Sequence, residues 1–138
     1  MVRRALIIGR WVVDFLFAVD RYDVDGIIAC LYDAGAPGYI MKDAERLMRE
    51  CEYDCGFTYS KTYVNAEKHR AVVLIGPASS GAEFIDTFVH ELHHLAVVIA
   101  SGLGVDLEGE APAYIAGDAA RDLAEIVCEL GCEHCRPQ

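Results

Sequence analysis

Residues 88–98, FVHELHHLAVV, place three histidines and one glutamate inside an otherwise apolar run. On a helix, which turns about 100° per residue, five apolar side chains of this region form one continuous stripe. They are Phe84, Phe88, Leu92, Leu95 and Ile99. His90 and His94 fall on the opposite face, one turn apart. Because packing into a core does not explain two stacked histidines on that face, the pattern predicts a helix over residues 81–100 with a functional face.

His90 and His94 have the spacing that allows two imidazoles to bind one metal ion. One helical turn separates such side chains by about 5–6 Å, so both rings can reach a single tetrahedral zinc. Glu91 lies about 100° round the helix from His90, where it can contact a water on the metal without being a ligand. The set therefore predicts a zinc site in which Glu91 is the general base on the water that the zinc activates.

The third ligand is predicted downstream at Glu110, 16 residues after His94. The glycines of SGLGVDLEGE predict a reversal of the chain, and a second helix is predicted to begin around Glu110 with Pro112 in its first turn. A carboxylate here completes a His, His, Glu set with one open position, the arrangement of catalytic rather than structural zinc. Two alternatives stay open: Glu108 or Asp106 is the ligand, or Glu110 is an acid that only stabilises the helix N-terminus.

The chain before the histidine helix predicts a mixture of strands and helices. Residues 5–19 predict two strands around a Gly-Arg turn, with a helix as the alternative for the second half, and residues 71–75 predict a strong strand ended by Gly76-Pro77. The other predicted elements are a helix over 23–34 capped by Asp23 and stopped by Gly35, an amphipathic helix over 41–51, a short strand over 57–59 and a polar loop. The cap of the histidine helix is predicted at Ser79 or Ser80, and Glu83 completes a capping-box pattern with Ser80.

The expected fold class is α+β. We predict a small domain in which a few-stranded, mostly antiparallel sheet packs on the histidine helix and on the following glutamate-bearing helix. A chain of 138 residues suits one domain with one core, over residues 1–138.

Composition limits the function classes. With 12 basic against 22 acidic residues the net charge is −10, which disfavours nucleic acid and anionic membranes as partners. The sequence has no run of about 20 apolar residues and no signal-peptide pattern, so an intracellular, cytoplasmic location is expected.

Six cysteines are expected to be reduced in a protein without an export signal. Cys132 and Cys135 form a C-x-x-C motif, which could hold a second metal together with Cys128 or with Cys51 and Cys55. The spacing of four within each of the pairs 51/55 and 128/132 also places small apolar residues on one helix face. The role of the cysteines therefore stays open.

The segment HELHH at residues 90–94, followed by a glutamate-bearing helix, resembles the gluzincin class of zinc metallopeptidases. The form is minimal, similar to small peptidases of phages and bacteria, and the likeness covers about residues 72–123. It implies a zincin-like domain that binds Zn²⁺ and hydrolyses peptide bonds in a peptide or protein substrate. In gluzincins the strand before the active helix belongs to a sheet whose edge binds extended substrate, which implies this role for residues 71–75 or a neighbouring strand.

Two departures from that class affect the predicted site. Thermolysin-like members have an Asp four residues after the ligand Glu to orient a histidine, whereas this chain has Tyr114 there and Asp118 only at the eighth position. Asp118 or Asp86 is therefore the expected orienting group. Those members also carry a separate domain that supplies a transition-state donor, for which this chain has no room. Tyr114, on the face of Glu110, is the predicted catalytic donor, with a packing role as the alternative.

Other polar residues are weaker candidates. His93 flanks the ligand face. It either supports the ligand histidines without binding the metal or is an exposed histidine with no role in the site. Tyr59 and Tyr63 are alternative donors if the polar loop folds over the site. His69 and His134 have no spacing that connects them to the metal.

Three function classes follow from these patterns. The leading expectation is a zinc-dependent hydrolase of peptide bonds. The second is a zinc-containing but catalytically inactive module that binds a protein partner. The third is a small partner-binding protein in which the histidine motif is fortuitous. The patterns predict neither the oligomeric state nor the cleavage specificity.

Overall fold

The computed structural model of the protein describes residues 1–51, 60–132 and 134. The chain divides into two compact units, Met1–Ala78 and Ser79–Gln138. In the described ranges, the first unit holds a four-stranded sheet and two α-helices, and the second holds three α-helices. The predicted α+β class is confirmed, whereas the zincin-like architecture and the single-domain organisation stay predictions.

The first unit begins with an antiparallel hairpin of β1 (Val2–Ile8) and β2 (Trp11–Phe17). Its turn contains Gly9 at φ +60°, a left-handed conformation that glycine adopts readily because it has no Cβ. The predicted pair of strands around a Gly-Arg turn is therefore confirmed. All of β2 is buried except Val12, which is half-buried, as expected for a strand in the interior of a sheet.

The other two strands are β3 (Ser60–Asn65) and β4 (Arg70–Ile75). The strand order is β1-β2-β4-β3, in which β2 and β4 are parallel and the two outer pairings are antiparallel. The parallel pair requires a long crossover, and α1 (Val24–Asp33), α2 (Gly38–Cys51) and β3 lie between the two strands in the sequence. The sheet is therefore mixed.

Two expectations about these strands need correction. The polar loop predicted before residues 71–75 contains β3, an edge strand in which only Tyr63 is buried, so its polarity reflects exposure rather than absence of structure. β4 is hydrogen-bonded on both sides and has no free edge for an extended peptide. The neighbours of β4 are β2 and β3, and of these only β3 lies at an edge of the sheet. The predicted strand over 57–59 lies outside the described residues.

Helices α1 and α2 cover one face of the sheet. Their buried side chains form a cluster with strand residues of the first unit, including Ile27, Leu31 and Met48 from the helices and Leu16 and Leu74 from the sheet. Gly35, at φ +76°, follows α1 as predicted.

The predicted cap of α1 is wrong in detail. Asp23 occupies the N-cap position without a side-chain cap bond. Asp20 instead caps a 3-10 turn over Arg21–Asp23, where its carboxylate accepts from the Tyr22 backbone N–H. The Asp23 carboxylate accepts in turn from the Asp20 backbone N–H at 2.9 Å. The capping residue is therefore three positions earlier than expected, because a short turn precedes the helix.

Asp14 is a charged residue in the middle of β2, and it is only 1% exposed. The Arg3 guanidinium donates two hydrogen bonds to its Oδ1, at 3.0 and 3.1 Å, and Arg70 Nη2 donates to its Oδ2 at 3.4 Å. The hydrogen bond to Asp14 raises the pKa of Arg3. The buried carboxylate is therefore matched by cations from both neighbouring strands.

The second unit contains α3 (Gly81–Gly102), α4 (Ala111–Asp122) and α5 (Ala124–Gly131), which pack on one another. As predicted, Ser80 caps α3, and its Oγ accepts from the Glu83 backbone N–H at 3.1 Å. The Glu83 carboxylate accepts from the Ser79 rather than the Ser80 backbone N–H, so the predicted capping box is only half formed. In the part of the chain described here, no helix is both long and apolar enough to cross a membrane.

Candidate metal centre

Helix α3 confirms the amphipathic pattern expected of the histidine segment. The five residues of the apolar stripe are all buried, namely Phe84, Phe88, Leu92, Leu95 and Ile99. His90, His93 and His94 are exposed. The 22-residue helix runs without a break through these positions, so its regular geometry fixes how the three histidines are arranged.

The exposed face brings two histidine nitrogens together. His90 Nε2 lies 3.1 Å from His94 Nε2, and the ring centroids are 4.7 Å apart. In a tetrahedral zinc site with Zn–N bonds of about 2.0–2.1 Å, two ligand nitrogens lie about 3.3–3.4 Å apart. The two rings therefore fit a shared ion after a shift of a few tenths of an ångström. The same distance also fits a hydrogen bond in which one Nε2–H donates to the other ring.

Glu91 lies on the buried side of this pair. It is 5% exposed, and among the described residues only it and Asp14 are buried charged side chains. Burial of a carboxylate costs free energy unless the surrounding groups compensate, so such a residue is held in a defined position. The position next to His90 on the helix is the one expected of a general base.

Glu110 is not brought to the histidine pair. It is exposed at the N-cap position of α4, with φ −82° and ψ −15°, and makes no side-chain cap bond. Helix α4 packs against α3, but the described residues contain no group of three or more His, Cys, Asp or Glu side chains placed to hold a metal. Two of the three predicted ligands are therefore together, and ligation by Glu110 stays a prediction.

The alternative ligands lie in the same exposed segment. Asp106 Oδ1 accepts from the Glu108 backbone N–H at 2.9 Å, so Asp106 stabilises a turn of the loop. Glu108 is exposed. Residues 103–110, which connect α3 to α4, are all exposed, so few packing contacts hold this loop in one conformation.

The predicted supporting residues lie mostly on the surface. Tyr114, the predicted catalytic donor, is 67% exposed on α4. Asp118 forms an ion pair with Arg121 at 3.5 Å on the same helix, and Asp86 is exposed on α3. Neither aspartate is shown orienting a ligand histidine.

The alternatives in the first unit have structural surroundings. Tyr63 is buried in the core cluster of that unit, and its hydroxyl lies 3.5 Å from Asp43 Oδ2. The His69 ring contacts the Trp11 ring edge-on, at a centroid distance of 5.5 Å. Tyr59 lies outside the described residues.

The cysteines differ in their surroundings. Cys30 is buried, and this burial raises the pKa of its thiol. Cys128 is exposed and Cys132 is half-buried. Cys55 and Cys135 lie outside the described residues, so the suggested second metal site stays a prediction.

The Asp14 cluster was not singled out from the sequence. Its signal was an aspartate inside the apolar run WVVDFLF, which pointed to a charge that must be paired in a buried strand. The partners, Arg3 and Arg70, could not be chosen without the strand order.

No family model, curated protein or solved structure matches the chain.

Proposed function

We propose that the protein is a zinc-dependent hydrolase of peptide bonds, with His90, His94 and Glu110 as metal ligands and Glu91 as general base. The observation that carries the proposal is the convergence of two exposed histidine nitrogens, 3.1 Å apart, beside a buried glutamate on one helix. An imidazole pair with this separation matches the donor type and bite that zinc prefers.

Bound zinc would supply a Lewis acid and lower the pKa of a coordinated water towards about 7. The protein side chains perform the remaining steps. Glu91 accepts the proton of the attacking water and then passes it to the departing amine. Its burial restrains the carboxylate, so the proton acceptor is already oriented when substrate binds.

Glu110 requires a rearrangement of residues 103–110 to reach the histidine pair. The exposure of these residues, together with Gly104 and Gly109, favours such a rearrangement. We propose that metal binding draws the loop in, so that the free energy of ligation offsets the entropy lost by the loop. Tyr114 follows one turn after Glu110 and would move with it.

The proposed substrate is a peptide or protein that is acted on in the cytoplasm. We propose a narrow substrate range, such as a regulatory protein of a phage or mobile element, on the resemblance of residues 72–123 to small phage and bacterial peptidases. Broad cleavage of an unstructured protein such as casein would contradict this part of the proposal.

The first test is metal content by elemental analysis of protein purified without added metal. The proposal expects one zinc per chain in the wild type, a large loss in His90→Ala and Glu110→Ala, and retention in the double variant Cys132→Ala/Cys135→Ala. Zinc that is lost in the cysteine double variant but kept in His90→Ala would contradict the histidine site.

The second test is cleavage of a peptide mixture, read by mass spectrometry. The proposal expects products from the zinc-loaded wild type and a loss of at least about 100-fold in Glu91→Gln, which keeps the metal but lacks the base. Equal cleavage by both proteins would identify a contaminating protease.

A second candidate function is a zinc-containing module that binds a protein partner without cleaving it. One observation favours it, namely that Glu110 does not join the histidine pair in the described residues. Bound zinc that persists in Glu110→Ala, together with no peptide cleavage by the wild type, would select this candidate.

A further inference from the structure

A hydrolase of peptide bonds needs a hydrogen-bond donor for the oxyanion that forms from the scissile carbonyl. Tyr114 was the predicted donor, but it lies on α4, at the end of an exposed loop. A donor on α3 itself would keep a fixed position relative to the histidine pair. His93 is the polar residue of the histidine segment that the proposed function does not use.

The geometry of α3 places His93 and Glu91 on opposite sides of the pair. At about 100° per residue, the direction midway between His90 and His94 lies about 20° from His90. Glu91 is then about 80° from that direction on one side, and His93 is about 80° from it on the other. A metal held by the pair is therefore flanked by the two residues.

The two sides differ in their access to solvent. Glu91 is buried, whereas His93 is exposed, with its ring centroid 6.4 Å from that of His94 and tilted by 52°. Because the Glu91 side is closed, a substrate carbonyl can approach the pair from the open side, where the His93 ring lies. An imidazole N–H there can donate to an oxygen beside the metal without itself being a ligand.

We propose that His93 is the oxyanion donor of the site, an inference that rests on the proposed function. The base on the buried side takes the proton of the attacking water, and His93 on the exposed side donates a hydrogen bond to the carbonyl oxygen as negative charge develops. The site would then carry a base, two ligands and an electrophile on five consecutive residues of one helix. This arrangement places the donor on the same helix as the two histidine ligands.

The test uses the full chain loaded with Co²⁺, which has a visible spectrum, and acetohydroxamate as an anionic probe that mimics the oxyanion. The variants are His93→Phe, which removes the donor, and His93→Gln, which restores one. Tyr39→Phe, a change at an exposed tyrosine of the first unit, is the control. Each protein is first checked for metal stoichiometry and helix content.

We expect all four proteins to bind one Co²⁺ per chain. The dissociation constant for acetohydroxamate should rise about tenfold in His93→Phe, since a hydrogen bond to a charged group is lost. It should return to within about threefold of wild type in His93→Gln and stay unchanged in Tyr39→Phe.

Three outcomes overturn the inference, and they are distinguishable. Unchanged acetohydroxamate binding in His93→Phe would remove His93 as donor and leave the proposed function intact. Loss of metal in His93→Phe would make His93 a ligand instead. A wild-type protein that binds no metal would contradict the proposed function and the inference together.

Discussion

Asp14 in the first unit and the His90–His94 pair in the second are both polar groups inside apolar stretches of sequence, but their surroundings differ. Asp14 is buried, and two arginines from neighbouring strands hold both of its oxygens. The histidines are exposed and lie against each other. The first arrangement uses charge to stabilise the sheet, whereas the second keeps its donor atoms accessible to a ligand. A polar residue in an apolar run is therefore a structural or a functional signal according to its partners.

Among the variants that test this comparison, Asp14→Ala is expected to change the free energy of unfolding most. The change leaves two arginines without their buried counter-charge. It should lower the free energy of unfolding by about 2–4 kcal/mol. This loss is smaller than for a fully buried ion pair because Arg3 is half exposed. His90→Ala, measured without metal, should change it by only about 0.5 kcal/mol or less. Urea unfolding measures both, and equal losses in the two variants would remove the distinction.

Zinc should make the effects of variants in the two regions comparable. A ligand that binds only the folded protein stabilises it by about 2.7 kcal/mol at a free concentration one hundred times its dissociation constant. We expect the wild type and Asp43→Asn, a change in the first unit, to gain comparable stability from zinc, and His90→Ala to gain none. Thermal unfolding with added zinc or with a chelator measures the effect. A gain in His90→Ala would place the metal elsewhere.

Thiol labelling rates should differ between a buried cysteine of the first unit and an exposed cysteine of the second. Burial raises the pKa of Cys30, which disfavours the reactive thiolate at neutral pH, whereas Cys128 is exposed. Iodoacetamide should therefore modify Cys128 at least about tenfold faster than Cys30 in the native protein, as measured by mass spectrometry of digested samples. The two rates should converge in denaturant. Comparable rates without denaturant would mean that the sheet and α1 open readily.

The smallest change in the free energy of unfolding is expected for Asp43 on α2. Hydrogen bonding from Arg46 holds the pKa of Asp43 below its usual value, with Lys61 and Tyr63 adding to the shift. A carboxyl with a lowered folded-state pKa stabilises the protein above its unfolded pKa of about 3.9, and this contribution is lost as the pH falls through the folded value.

The Asp43 contribution should be well below 1 kcal/mol because the pair is near the surface. The stability difference between wild type and Asp43→Asn should therefore be small at pH 6 and vanish towards pH 3. The exposed Asp25→Asn serves as the control. A difference that grows on acidification would have the opposite sign to the one expected.

Most parts of the fold that follow from neighbours in sequence were predicted correctly, although Asp20 rather than Asp23 is the capping residue before α1. The stripe on α3 and its Ser80 cap depend on residues within one or two helical turns, and the β1–β2 hairpin depends on a local Gly-Arg turn. Two corrections concern strand pairing: the predicted polar loop contains β3, and residues 71–75 form an interior strand, which leaves only the neighbouring-strand alternative for the substrate edge. Strand order depends on contacts between distant segments, so a local pattern carries little information about it.

The sequence by itself determined that His90 and His94 lie side by side, because residues four apart on a helix meet whatever surrounds the helix. It also determined which face of α3 is apolar. Only the tertiary structure decided that Asp14 is neutralised by Arg3 and Arg70, that β4 is interior, and that Glu110 lies apart from the histidines. These features depend on where separate elements and loops come together, and that is set by the packing of the whole unit rather than by any one segment.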